Sequence, residues 1–305
     1  MAEAPDSLTI RQKRFLSTGD LKPEEDTTTW WIPLGITPKE ILAETKDNVE
    51  ALTEKETNIF NINTDYYKLN TNQNGFYRVN YPPERLEKLG ASIQKLSVAD
   101  RIGLVSDAIA LALSSDSTIT SLLSLISNLK NEENYLVWSQ ALSQLSRLCT
   151  VFSIAGPEMK AALKKFTLDL VTPAAEKIGW EFPEGEDYLK SQLRGLLIGA
   201  AAGAGHKGFI EEVQRQFNAY FAGDKSAIHP ALRRIVFGTA ISEGSKTEFD
   251  HVWSEYLNST SVDGKEITLQ AMGRVKQQDL VESYLKHIII DNILLQNLYL
   301  IISYY

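Results

Sequence analysis

From Pro82-Pro83 to Ile288 the apolar residues of this chain recur at spacings of three and four, stripe after stripe, with short links between them. A helix that is apolar along one side only has to bury that side against a neighbour. Val98, Ile102, Val105, Ile109 and Leu113 form the first clear stripe, behind a Ser97-x-x-Asp100 capping box. Tyr135, Trp138, Leu142, Leu145 and Leu148 form the next. Leu163, Phe166, Leu170 and Ala174 form another, which Pro173 is expected to kink or end. Further stripes run over Leu189–Ala204, Ile210–Phe221, Leu232–Ala240, Phe249–Leu257, Ile267–Met272 and Leu280–Ile288. Pro230 suits a first helical position, and the links carry Gly, Asp, Ser or Pro. Val213 and Phe217 recur as Val252 and Tyr256, 39 residues on, a spacing within the range of two-helix repeats. The expectation for residues 82–305 is an α-solenoid of antiparallel helix pairs, HEAT- or armadillo-like. The concave face of such an array is its usual binding surface.

Before Pro82 the texture is that of strands. Ser7–Phe15 alternates around Leu8 and Ile10, and Thr27–Leu34 is β-branched and aromatic up to Pro33. Tyr66–Asn70 and Phe76–Tyr81 flank Asn74-Gly75, which reads as a hairpin whose turn needs a positive φ at Gly75. In Phe76–Tyr81 the residues Tyr77, Val79 and Tyr81 share one face. Residues 1–81 are therefore expected to form a small N-terminal β-sandwich. The chain as a whole is mainly α, in two domains, 1–81 and 82–305, as its 305 residues suggest at about 150 per domain.

Charge and cysteine content narrow the function classes. The formal net charge of −8 speaks against a nucleic-acid binder, which carries a basic stripe. A single cysteine, Cys149, supports neither a disulfide framework nor a thiolate zinc site, and it is expected to be a core thiol. The start, Met1-Ala2-Glu3-Ala4-Pro5-Asp6, has no basic or apolar region of a secretory signal, so the expected compartment is cytoplasmic. From Ile288 to Tyr305 the sequence is mostly apolar but is interrupted by Asp291, Asn292, Gln296 and Asn297. That is a poor membrane span. It reads as a packed terminal helix, or as a repeat without its neighbour.

Motifs of known chemistry are scarce. Gly203-Ala204-Gly205-His206-Lys207-Gly208 has the form G-x-G-x-x-G, but a helical stripe precedes it where a dinucleotide site needs a strand. It reads as a helix end followed by a Gly-rich turn. His251 and Glu255 are four apart and share a helix face, yet two ligands do not make a metal site, and an exposed pair is expected. His229, before Pro230, reads as a cap or turn residue. Glu132-Glu133, Glu24-Glu25-Asp26 and Glu211-Glu212 read as solvated turns or helix faces. There is no G-x-S-x-G, Walker loop or C-x-x-C. Gly273-Arg274-Val275-Lys276 places two cations around a turn after a helix. They complement the negative end of that helix, and they also have the spacing to hold a carboxylate by charge-assisted bonds.

Several blocks together carry a resemblance. Trp30-Trp31-Ile32-Pro33-Leu34, Asn74-Gly75-Phe76-Tyr77-Arg78-Val79-Asn80-Tyr81, Asn134-Tyr135-Leu136-Val137-Trp138, Lys177-Ile178-Gly179-Trp180 and Val262-Asp263-Gly264-Lys265-Glu266 resemble the C-terminal half of zinc aminopeptidases. This gluzincin family includes aminopeptidase N, puromycin-sensitive aminopeptidase and the endoplasmic-reticulum aminopeptidases, and the wording is closest to its fungal cytoplasmic alanine/arginine members. The resemblance covers about residues 7–287. It implies a β-sandwich and a helical domain that caps the active site and encloses the peptide. The family's catalytic domain, with H-E-x-x-H, a zinc-binding Glu and G-x-M-E-N, has no counterpart in this sequence. The implied zinc belongs to that missing domain, so no cofactor and no catalytic or metal residue is expected in this chain. Some family members use an Arg and a Lys in a G-R-x-K turn to engage the substrate's C-terminal carboxylate, and Arg274 and Lys276 match that turn. The expected partners are peptides and an aminopeptidase catalytic domain, with neither nucleic acid nor membrane. The alternative is a free-standing helical-repeat protein that binds peptides or a partner without protease activity. A gene-model or pseudogene fragment is a third reading.

Overall fold

The computed structural model describes residues 1–36, 50–60 and 64–290. The end of the tail, from Asp291 to Tyr305, lies outside the described residues. The fold is mainly α, as the periodicity requires, and it divides into two compact units, Met1–Val151 and Phe152–Tyr305.

The first unit begins with strands. β1 (Ala2–Ala4), β2 (Ser7–Arg11) and β5 (Glu56–Phe60) form an antiparallel sheet in the order β1-β2-β5, with Leu8 opposite Ile59. Leu8, Ile10 and Ile59 supply its buried face. β3 (Ile32–Pro33) and β4 (Ala51–Leu52) make a second, two-stranded ladder. Among the described residues these short ladders are what stands where a β-sandwich is expected. Most of Thr27–Leu34 is not strand, because a side chain replaces its partner. The Gln12 amide donates to Trp30 O at 2.9 Å and accepts from Trp30 N at 2.8 Å, as a peptide group would.

The expected hairpin over 66–81 is not formed. Asn70, Asn72 and Gln73 adopt the left-handed conformation, and Gly75 does not. Asn70 then closes the loop with its own side chain, accepting from Gly75 N at 2.7 Å and donating to Gly75 O at 3.0 Å. Asparagine tolerates that backbone region because its amide bonds locally. Phe76–Tyr81 forms no strand; Val79 and Tyr81 are buried, and the segment's partner is a helix.

That helix is the second of four α-helices among the described residues of this unit: α1 (Pro83–Ala91), α2 (Val98–Leu113), α3 (Ile119–Ser127) and α4 (Tyr135–Val151). Ser97 caps α2 as its box predicts, accepting from Asp100 N at 3.1 Å. α2 carries two buried aspartates that fasten the preceding loop. Asp107 accepts from Val79 N at 3.1 Å and from the Arg78 guanidinium at 3.0 Å. Asp100 accepts from Asn72 N at 2.7 Å and pairs with the Lys68 ammonium at 2.7 Å, with both side chains under 5% exposed. Lys68 Nζ also donates to Leu69 O and Asn70 O, so its three protons are all used. Gly103 of α2 leaves the space in which the Gln73 side chain lies.

Glu132 corrects another expectation. Rather than a solvated turn residue it is buried, accepts from Glu133 N and Asn134 N just before α4, and pairs with Arg101 at 3.0 Å. Cys149 is exposed rather than a core thiol, because it falls between the buried Leu145 and Leu148 stripe and solvent on the last turns of α4.

The second unit is an array of seven helices among the described residues: α5 (Pro157–Ile178), α6 (Tyr188–Gly203), α7 (Lys207–Phe221), α8 (Arg233–Glu243), α9 (Lys246–Asn258), α10 (Val262–Met272) and α11 (Gln278–Ile290). α6, α8 and α10 pack on one another in a row, while α5, α7 and α9 pair against them. The row is accordingly deeply buried, with Val236 to Ile241 buried in succession. α7 and α9 start 39 residues apart, which is the spacing of the repeated Val213/Phe217 and Val252/Tyr256. Pro173 lies inside α5 and does not end it. Burial of Leu170, Val171, Ala174 and Ala175 around it outweighs the ~3 kcal/mol that an interior proline costs.

Removing the anion from a buried pair leaves an uncompensated charge, which costs about 3–5 kcal/mol. Asp100→Asn is therefore expected to lose stability of that order in urea unfolding followed by helical circular dichroism. The double replacement Lys68→Met with Asp100→Leu is expected to recover much of the loss.

Candidate functional site

The row of α6, α8 and α10 has a consequence for chemistry. Each of these helices is followed by a short link, and the row brings the links to one edge of the second unit. Lys276, after α10, donates from Nζ to Glu243 Oε1 at the end of α8, at 2.7 Å. Gln277 Nε2 donates to Gly244 O at 2.7 Å. A Cβ at Gly205, in the link after α6, would lie 3.1 Å from Lys164 Nζ. Three cations, Lys164, Arg274 and Lys276, thus come from two elements that sequence order separates widely.

Arg274 and Lys276 are held differently. The Arg274 stem lies across α8 at Gly238, where a Cβ would come within 2.9 Å of Cδ and 3.1 Å of Nε. Gly238 thus has a packing reason that a lone glycine in a helix needs. Val275 between the two cations is buried, while Lys276 beyond it is exposed. Lys276 is 62% exposed and Glu243 40%. The hydrogen bond from Lys276 holds the Glu243 carboxyl below the usual carboxylate range, against some burial, with smaller help from Ser242 and the Lys164 charge. C-terminal helix ends carry partial negative charge, so cations here complement α8 and α10 as well.

The remaining sequence candidates resolve into structure. Gly203–Gly208 is the end of α6, a Gly205 at φ 88°, and His206 capping α7 by accepting from Phe209 N at 3.4 Å. His229 caps the turn at Pro230 through Nδ1, which accepts from Ala231 N at 3.3 Å. His251 stacks on Phe221, with centroids 4.8 Å apart. Glu255 accepts from Tyr220 Oη at 2.6 Å and from Lys225 at 3.2 Å, so the two residues have different partners. Glu212 is held low by Arg215, a solvated helix pair as expected. Trp180 faces Phe209 at 5.5 Å and, with Glu176 and His206, lines an open pocket beside α5. Among the described residues no three His, Cys, Asp or Glu side chains gather where they could hold a metal. Among the described residues, then, no donor set for the family's zinc is assembled.

The sequence singles out Arg274 and Lys276 but neither Glu243 nor Lys164. No local signal marks them. Glu243 sits beside a capping box, Ser245 with Glu248, and is read as part of an ordinary helix link. Its role appears only when α8 and α10 are laid side by side.

Two outcomes follow from this packing. In Lys276→Gln the Glu243 carboxyl is expected to titrate upward, toward the usual carboxylate range, as followed by carboxyl carbon NMR. Its pKa in the folded chain is lowered, so its small stabilising contribution is present above the unfolded pKa and fades as pH falls through the folded one. Both groups are exposed, so the contribution is about 1 kcal/mol or less. Gly238→Ala is expected to push the Arg274 chain off α8, moving its Nε–H resonance. Overall stability should change by no more than about 1 kcal/mol, since alanine favours the helix by a similar amount.

Comparison with known proteins agrees with this architecture. The pattern of the family described as ERAP1-like C-terminal domain matches residues 66–305. The chain is 34% identical over 298 residues to the alanine/arginine aminopeptidase of Saccharomyces cerevisiae, covering 98% of this chain and 34% of that protein. It is 35% identical over 279 residues to aminopeptidase 2 of Candida albicans, covering 90% of this chain and 29% of that one. Aminopeptidase M1-A of Oryza sativa subsp. japonica is 33% identical over 235 residues, covering 73% of this chain and 26% of that protein. The chain thus spans about a third or less of the length of the relatives it matches. With that family's pattern matched over residues 66–305 and relatives 34% and 35% identical over 98% and 90% of its length, the chain belongs to the ERAP1-like C-terminal domain family.

Proposed function

We propose that this chain is the non-catalytic C-terminal region of a zinc metallo-aminopeptidase, which closes the peptide chamber and helps to bind the peptide during removal of N-terminal amino acids. The family match and the aminopeptidase relatives support the enzyme context. The observation that carries the binding role is the turn after α10, where Arg274 and Lys276 stand at the edge of the helix row with Lys164 nearby. A cluster of this sign recognises a carboxylate, and a bond between two ions is roughly twice as strong as a neutral one. Arg274 and Lys276 would hold the peptide's C-terminal carboxylate. Water activation would fall to zinc in a catalytic domain, since zinc lowers the pKa of its bound water to about 7. The partners are then peptides and that domain. The proposed compartment is the cytoplasm; no described helix is long and apolar enough to cross a membrane.

The test is binding of one short peptide in two forms, free acid and C-terminal amide, to the 305-residue chain, measured by calorimetry. The acid is expected to bind about tenfold more tightly, as a charged hydrogen bond is worth about 1.5–3 kcal/mol before solvent weakens it. Arg274→Gln with Lys276→Gln is expected to abolish the difference. An equal affinity for both forms in the unaltered chain removes the carboxylate role. Stoichiometric zinc together with release of amino acids from aminoacyl substrates would overturn the non-catalytic assignment.

A further inference from the structure

A carboxylate already sits on the proposed carboxylate site. Glu243 is the last residue of α8, where the helix's negative end disfavours an anion. It is nonetheless bonded to Lys276 at 2.7 Å, the length of a charge-assisted bond. Ser242 Oγ adds a longer bond, at 3.3 Å, to the same oxygen. Both ends of the ion pair are open to water, at 62% and 40%, so it is the kind of pair that exchanges readily.

We infer that Glu243 is the resident occupant of this site, and that a ligand carboxylate binds by displacing it from Lys276. This rests on the peptide-carboxylate reading above and adds to it a residue that sets the strength and selectivity of that binding. The exchange trades one anion for another on Lys276. Before it, Lys276 neutralises Glu243; after it, Lys276 neutralises the ligand, while the released Glu243 keeps only the weaker attraction of the Lys164 charge. Arg274, seated against Gly238 on α8, does not have to move. A ligand end without a negative charge, such as an amide, cannot displace Glu243 and gains nothing from its removal. The arrangement therefore penalises every carboxylate ligand by the worth of one surface ion pair, which sets the scale of the expected effect.

The experiment uses an alanine-rich peptide with uncharged side chains, as free acid and as amide, against the full chain and its variants. Glu243→Gln keeps the shape of the side chain and removes its charge. It is expected to bind the acid about two- to fivefold more tightly, as an exposed pair allows, and the amide with unchanged affinity. In the Lys276→Gln background the same replacement is expected to change neither. Unchanged or weaker binding of the acid by Glu243→Gln, or equal tightening of acid and amide, overturns the inference. If Lys276→Gln keeps the full preference for acid over amide, Lys276 is not where the carboxylate binds. The reading of the site then falls together with this inference. If Lys276→Gln loses the preference while Glu243→Gln has no effect, the site stands and only the displacement falls.

Discussion

An ammonium group inside a protein has to find an anion and an acceptor for each proton, and Lys68 organises the first unit by meeting that demand. Burial pushes its pKa down, and the hydrogen bond and charge of Asp100 work against that shift. Satisfying it fixes Leu69 O and Asn70 O on one side and the first turn of α2 on the other. The loop that follows has no ladder of its own. It takes its shape from Asn70 and from the two aspartates of α2. The same device recurs. Arg85, buried on α1, fastens Glu3 of β1 at 2.8 Å while lying 4.2 Å from the Tyr67 ring. In the second unit the buried Arg194 of α6 fastens Glu186 of the preceding loop, and lies 4.7 Å from the Phe182 ring. Irregular segments are held by charges on helices, because buried polar groups without partners are costly.

The second unit depends on a simpler constraint. Consecutive amphipathic helices joined by short links bury their apolar sides by packing in rows. The row α6, α8, α10 then places three helix ends and three links together. That edge collects cations for an electrostatic reason, since helix C-termini carry partial negative charge. The candidate site is thus a by-product of the packing, and its selectivity lies in which anion occupies it.

Much of this was legible in the amino-acid sequence. The helical stripes, the Ser97 cap of α2, the Pro230 start and the buried Leu8 and Ile10 follow from periodicity and capping chemistry alone. Two of the blocks that carry the family resemblance turn out to be locks. Trp138 is buried and donates from Nε1 to Glu132 O at 2.9 Å, and Val79 donates to Asp107. Errors arose where a side chain did a backbone's work. Gln12 took the place of a strand beside Trp30, and Asn70 took the place of the turn expected at Gly75. Glu132 looked solvated because its partners, Arg101 and the N–H groups before α4, are invisible to spacing.

The sequence by itself determined that this protein is mainly helical, that its helices must pair, and that no motif for zinc or nucleophilic catalysis is written in it. It also pointed to Arg274 and Lys276, because a motif within four residues is local. Only the tertiary structure decided which charges meet. Lys276 finds Glu243 across 33 residues of chain, and Lys68 finds Asp100. Periodicity describes what each helix must hide. The pairing of charges depends on how neighbouring helices are set side by side, and that arrangement is a property of the packed array rather than of any one of its helices.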